Sequence, residues 1–174
     1  MRLSQYSLIF IFCFTALLGG CCHDKDSFKK NEPVDFRLDT LSHDRFYLNQ
    51  YRGKVVVLAF WATWCIPCKS ELVELKSFAS MPEFKNVFAA AVCTDPENID
   101  DAKTIIKTLA LDYPVLLDKQ AKVFKQLGMS AVPTIIVIDQ ASKISLTRQG
   151  YDAGTIPQIK KHIESLFVSD KNIQ

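Results

Sequence analysis

The chain has 174 residues, 48% of them apolar, with 21 basic and 19 acidic side chains that leave a formal charge of +2. That length and apolar share suffice for one well-buried core and are short for two domains. The charges are spread along the chain with no basic run interleaved with aromatics, which argues against nucleic acid as a partner, and no internal repeat or low-complexity segment is present.

Residues 1–20 read as an export signal. Arg2 supplies a positive start, and Leu8–Leu18 is an apolar stretch too short for a comfortable membrane span. Leu18-Gly19-Gly20-Cys21 resembles the lipobox of bacterial lipoproteins, which implies cleavage before Cys21 and acylation of that cysteine. A secreted soluble form and an uncleaved anchor are the alternatives, and all three place the domain outside the cytoplasm, in a periplasm or on the outer face of the cytoplasmic membrane. Several acyl chains would hold it firmly, where one binds only marginally. Residues 21–33 are polar and have little to bury, as a tether would, spanning roughly 20 Å as a flexible coil. Cys22 and His23 lack a second ligand pair at metal-binding spacing, so they read as part of this solvated linker.

From residue 34 to 168, strand and helix signals alternate, and 169–174 reads as a tail. Val34–Leu38 and Arg45–Leu48 are two short strand candidates with a turn around Ser42-His43-Asp44. Lys54–Phe60 is a β-branched, nearly continuous apolar run, as in a central strand covered on both faces. After it, Leu72, Leu75, Phe78 and Ala79 recur at helical spacing, so a helix starts at or just after Cys65, with Lys69, Ser70, Glu74 and Lys76 placed for solvent.

Asn86–Val92 is the next strand, and Asp95-Pro96-Glu97 has the capping side chain, early proline and early acid of a helix start, giving a helix to about Leu109. Val115-Leu116-Leu117 is a short apolar segment, and Gln120–Leu127 a brief helix closed by Gly128. Thr134–Ile138 and Lys143–Arg148 can form a hairpin around Asp139–Ser142. Thr155 is placed to cap a last helix with an apolar stripe of Ile156, Ile159, Ile163, Leu166 and Phe167. The order β-β-β-α-β-α-α-β-β-α predicts an α/β fold, a mixed central sheet with helices on both faces and an N-terminal strand pair.

The chemistry concentrates in Trp64-Cys65-Ile66-Pro67-Cys68. Two cysteines three positions apart at a helix start share a face and can close a small disulfide ring, so the pair can cycle between dithiol and disulfide. This motif at a strand-to-helix junction, with Val132-Pro133-Thr134 before a later strand, resembles the thioredoxin fold in motif, order and spacing. The run Gly53-Lys54-Val55-Val56 to Cys65, the N-terminal strand pair and the extra segment Asp95–Leu109 resemble the TlpA/ResA branch of extracytoplasmic thiol-disulfide oxidoreductases, over residues 34 to 168.

The resemblance implies roles. Cys65, at a helix N-terminus whose free N–H groups and dipole favour a thiolate, is the attacking sulfur. Cys68 resolves the mixed disulfide, Pro67 keeps the first turn rigid, and Trp64 packs beside the sulfurs and limits access. Pro133 matches the cis-proline that faces the disulfide, turning the Val132 backbone towards a bound substrate peptide. Thioredoxins carry a buried Asp six residues before the first cysteine, where this chain has Ala59. Glu71 matches the active-site glutamate of the ResA-like branch. It is read either as the proton acceptor for Cys68 or as a solvent-facing helix residue. Val73 stands where many relatives have a helix-kinking proline, so the helix is expected to be straighter.

Outside the motif, Cys93 ends a strand at the active-site edge of the sheet and reads as a small buried hydrophobe, with a third redox thiol as the alternative. His43 and His162 have no ligand partners at metal spacing, and His162 is placed on a solvated helix face. The implied function is a monomeric, membrane-anchored oxidoreductase without metal or other cofactor. It would reduce disulfides in exported proteins or apocytochrome c and be recharged by a membrane thiol-disulfide reductant. A thiol peroxidase is disfavoured because Ala62 stands where the peroxidase signature needs Thr. A non-enzymatic binding module or zinc half-site would not need Trp64 or Pro133.

Overall fold

The computed structural model describes residues 32–171, so the signal segment, Cys21 and most of the tether lie outside the described residues. Seven strands form one mixed sheet in the order β2-β1-β5-β4-β3-β6-β7. The strands are β1 (Arg37–Thr40), β2 (Arg45–Tyr47), β3 (Val55–Trp61), β4 (Val87–Cys93), β5 (Val115–Leu117), β6 (Thr134–Ile138) and β7 (Ile144–Gln149). The helices are α1 (Ile66–Ala79), α2 (Ile99–Thr108), α3 (Lys122–Gln126) and α4 (Thr155–Lys171). This is the thioredoxin-like arrangement with the strand pair β1–β2 at one edge. β3, β4 and β5 run parallel, while β6 and β1 pair antiparallel with β3 and β5.

The apolar run of β3 is buried throughout because both its faces are covered. Val55, Val57, Ala59 and Trp61 face the core under α1, α2 and α4, which send in Leu72, Leu75, Phe78, Ala102 and Ile159. Val56, Leu58 and Phe60 face the opposite core with Val123 and Phe124 of α3 and Leu38, Phe46 and Leu48 of the N-terminal segment. Each large apolar side chain buried this way contributes on the order of 1.5–3 kcal/mol, and the resulting sheet fixes the end of β3 from which the cysteines leave.

Several boundaries differ from the sequence reading. Val34 is buried but stands outside β1, its N–H donating to the Ser142 carbonyl at 2.8 Å. Leu48 opens a 3-10 turn, Leu48–Tyr51. Val115–Leu117 is a full strand, and it joins the parallel core to the N-terminal pair. The helix expected from Gln120 is broken, because Gln120 (φ 59°) and Ala121 (φ 52°) are both left-handed, and α3 starts only at Lys122. α4 reaches Lys171, three residues into the expected tail.

Buried Asp118 holds that short helix. Its carboxylate accepts from the N–H groups of Val123 (3.0 Å) and Phe124 (2.8 Å). Asp118→Ala is expected to lower stability by about 1–2 kcal/mol through the lost cap. A shift of the denaturant midpoint checks this, and an unchanged midpoint would show the cap to be idle.

Candidate active site

The chain leaves β3 through a β-turn. The Cys65 N–H donates to the Ala62 carbonyl at 3.0 Å, so Thr63 and Trp64 occupy the two central positions. Cys65 then serves as the N-cap of α1 in extended conformation, and its Sγ accepts from the Cys68 N–H at 3.3 Å. Pro67 fits the first turn, where helical N–H groups have no intrahelical partner. Cys65 and Cys68 form a disulfide with their Cα atoms 5.4 Å apart. Cys65 is 3% exposed and Cys68 wholly buried, so attack from solvent reaches Cys65 first. The N–H aimed at Cys65 Sγ and the positive end of α1 both favour a thiolate there.

The turn is gripped from the end of β4. Thr94 donates its N–H (2.9 Å) and its hydroxyl (3.0 Å) to the Trp61 carbonyl. The Asp95 carboxylate accepts from the Thr63 N–H at 3.0 and 3.1 Å and from the Thr63 hydroxyl. Asp95 therefore does not cap α2, which corrects the sequence reading. Pro96–Asn98 is a 3-10 turn, and α2 begins at Ile99 without a side-chain cap. A helix-start pattern masked a contact to a residue 32 positions away, and no local signal distinguishes the two uses.

Glu71 lies three residues after Cys68 on the buried side of α1, with no exposed surface. That excludes the solvent-facing alternative. At i, i+3 spacing its Cβ stands roughly 5–6 Å from that of Cys68. Neither carboxylate oxygen has a hydrogen-bond partner among the described residues. Burial, with a smaller contribution from the Glu74 charge, pushes the Glu71 carboxyl up to about 8. Glu74, expected in solvent, is half-buried and accepts from the Tyr151 hydroxyl at 2.7 Å. Ala59, fully buried on the same face of the sheet as Leu72, confirms that no acid arrives from β3.

The Val132–Pro133 peptide is cis. Val132 is half-buried and packs against the core cluster that contains both cysteines. The Gly150 N–H donates to the Pro133 carbonyl at 2.8 Å, with Gly150 at φ 80°, a conformation that favours glycine. The next residue, Tyr151, reaches α1 through Glu74, so one dipeptide touches both the proline loop and the cysteine helix.

Trp64 is 70% exposed rather than packed over the sulfurs. The third position of a tight turn points away from the core, and this one carries the indole outward beside Ile66, which is 77% exposed, and the exposed Pro67. Cys93 is fully buried with its thiol 3.4 Å from Asp95, and burial pushes it up to about 12. His162 is half-buried, not solvated, and bonds Ser145 at 2.9 Å. Among the described residues, no group of three or more His, Cys, Asp or Glu side chains is placed to hold a metal ion.

The family model of the AhpC/TSA family matches residues 30–147. The chain belongs to the AhpC/TSA family. Within it, the thiol-disulfide oxidoreductase ResA of Geobacillus thermodenitrificans is 32% identical over 136 residues, covering 76% of this chain and 74% of that protein. The protein of the same name from Bacillus thuringiensis subsp. konkukian is 26% identical over 164 residues, covering 91% and 92%. StoA from Bacillus subtilis superposes with a TM-score of 0.64 at 25% identity, over 76% of this chain and 98% of StoA. This AhpC/TSA-family protein is a thiol-disulfide oxidoreductase of the ResA type, and its CxxC pair is Cys65–Cys68.

Proposed function

We propose that the chain reduces disulfides in exported proteins or apocytochrome c while anchored to a membrane through acylated Cys21. The observation that carries the reductive exchange is the Cys65–Cys68 pair at the N-terminus of α1, with a buried, unpartnered acid one turn below it. In the reduced protein, the Cys65 thiolate attacks a substrate disulfide, forms a mixed disulfide and releases one substrate thiolate. Cys68 then loses its proton to the Glu71 carboxylate, and its thiolate attacks Cys65 Sγ. The Cys65–Cys68 bond re-forms, the second substrate thiolate leaves, and two electrons have passed to the substrate.

A carboxyl of pKa about 8 is close to a thiol in acidity, so Glu71 can exchange a proton with Cys68 in either direction. In the oxidised state it is mainly protonated at neutral pH. It then hands its proton to the Cys68 sulfur when a membrane thiol-disulfide reductant opens the bond, and takes it back in the next cycle. In this reading the Val132 backbone, two residues before the first residue of β6, Thr134, pairs with an extended substrate backbone, and the exposed Trp64 and Pro67 offer it apolar contact.

Among the described residues no helix is long and apolar enough to cross a membrane, and what supports the lipid anchor is the lipobox-like run Leu18-Gly19-Gly20-Cys21. Two measurements test the reading. Catalytic insulin reduction with a thiol donor is expected from the full chain, and stoichiometric consumption without turnover would defeat it. Cys21→Ser is expected to move the protein from the membrane to the soluble fraction, and continued sedimentation with membranes would defeat the anchor.

A further inference from the structure

We infer that Asp95 is a positioning residue for disulfide exchange. It acts through Thr63 to set the β-turn that presents Cys65 and Trp64.

Three observations converge on this turn. Its first residue, Ala62, closes it by accepting from the Cys65 N–H at 3.0 Å. Its second residue, Thr63, has both polar donors committed to a single carboxylate, that of Asp95. The preceding Trp61 carbonyl is held by two donors of Thr94, the neighbour of Asp95. Residues on both sides of Ala62 are thus tied to the stretch that follows β4, itself in parallel register with β3 through Trp61 and Cys93. The same carboxylate also accepts from the Cys93 thiol at 3.4 Å and from Asn98 Nδ2 at 3.5 Å, which help to fix its orientation.

The bonds to Thr63 are charge-assisted and part-buried, the class that fixes geometry most strongly. A β-turn with a loose second residue can rotate its central peptide, and that rotation moves the third residue and the N–H of the fourth. Here those are Trp64, the exposed aromatic of the rim, and Cys65, the attacking sulfur. Small displacements at a reacting atom cost about tenfold to a hundredfold in rate. The hydrogen bonds of the Asp95 carboxylate go to Thr63, Cys93 and Asn98 rather than to Cys65 or Cys68, so its effect passes through Thr63.

The test uses the full-length protein, reduced, mixed with a dithiobis(nitrobenzoate) probe in stopped flow, and reads the kinetic phase that a Cys65→Ser variant lacks, so that the chain's other thiols, such as Cys22, do not count. Asp95→Ala is expected to slow that reaction by about tenfold or more. Thr63→Val is also expected to slow it, while Thr63→Ser, which keeps the hydroxyl, stays within about twofold of the unchanged protein. In the double variant, Thr63→Val adds nothing to Asp95→Ala, because the acceptor is already gone.

A merely structural role would lower the melting temperature of Asp95→Ala and leave the rate of the folded protein unchanged; that result overturns the inference. So does an accelerated reaction, which would show the carboxylate acting by repelling the thiolate. Should Asp95→Ala not fold, the Thr63 pair decides: a slow Val variant beside a normal Ser variant supports the inference, and equal rates overturn it.

Discussion

Cys68→Ser is expected to bring multiple-turnover disulfide reduction down by at least about a thousandfold while sparing the first attack by Cys65. A serine hydroxyl does not ionise in the range where a thiol does, so it cannot displace the substrate from Cys65 once the mixed disulfide has formed. Cys68 is wholly buried, and Ser fits its volume, so the fold should persist. The stalled adduct can be isolated under non-reducing conditions and its partner identified by mass. Turnover at the normal rate would remove Cys68 from the resolving role, and no adduct from an extract rich in oxidised exported proteins would count against a protein-disulfide substrate.

Glu71→Gln carries the second large effect. If Glu71 exchanges a proton with Cys68, the amide is expected to slow release of the mixed disulfide by about a hundredfold, the range for loss of a positioned acid or base. Unchanged release would remove Glu71 from the reaction. Stability gives an independent reading of the same group. Burial, with help from Glu74, raises its pKa from 4.5 to about 8, so the folded protein holds this proton more tightly than the unfolded chain does. The contribution is complete below pH 4.5, falls as pH rises through the interval to about 8, and is flat above it, a total on the order of a few kcal/mol. The Gln variant has no such proton. Its melting temperature should therefore lose this part of the slope between pH 5 and 8. An identical slope in both proteins would mean that the carboxyl is not buried as described.

The cysteine pair, the helix that follows it and the proline at 133 were legible in the sequence because each is written in consecutive residues. Cys65 to Cys68 is one helical turn, and Val132-Pro133-Thr134 stands directly before an apolar strand. The acid at 71 was half legible. Its spacing from Cys68 is local, but whether α1 turns it inward depends on the sheet beneath. Asp95 was hidden because Asp-Pro-Glu is a good helix start on its own terms, and its actual partner lies on another strand's exit. Trp64 misled for a related reason: an indole is usually worth burying, but the β-turn holding it leaves no core on that side. Val115–Leu117 was too short to read as a strand until β4 and β1 flanked it.

Gly150 and Tyr151 together have a consequence for how partners are met. Because the one bonds the Pro133 carbonyl and the other bonds Glu74 of α1, the proline loop and the cysteine helix share one brace. If that brace holds the two segments in place during exchange, the reshaping falls on the incoming polypeptide. Partners whose disulfide sits in a loose, unfolded stretch should then associate faster than those that present it on a rigid domain.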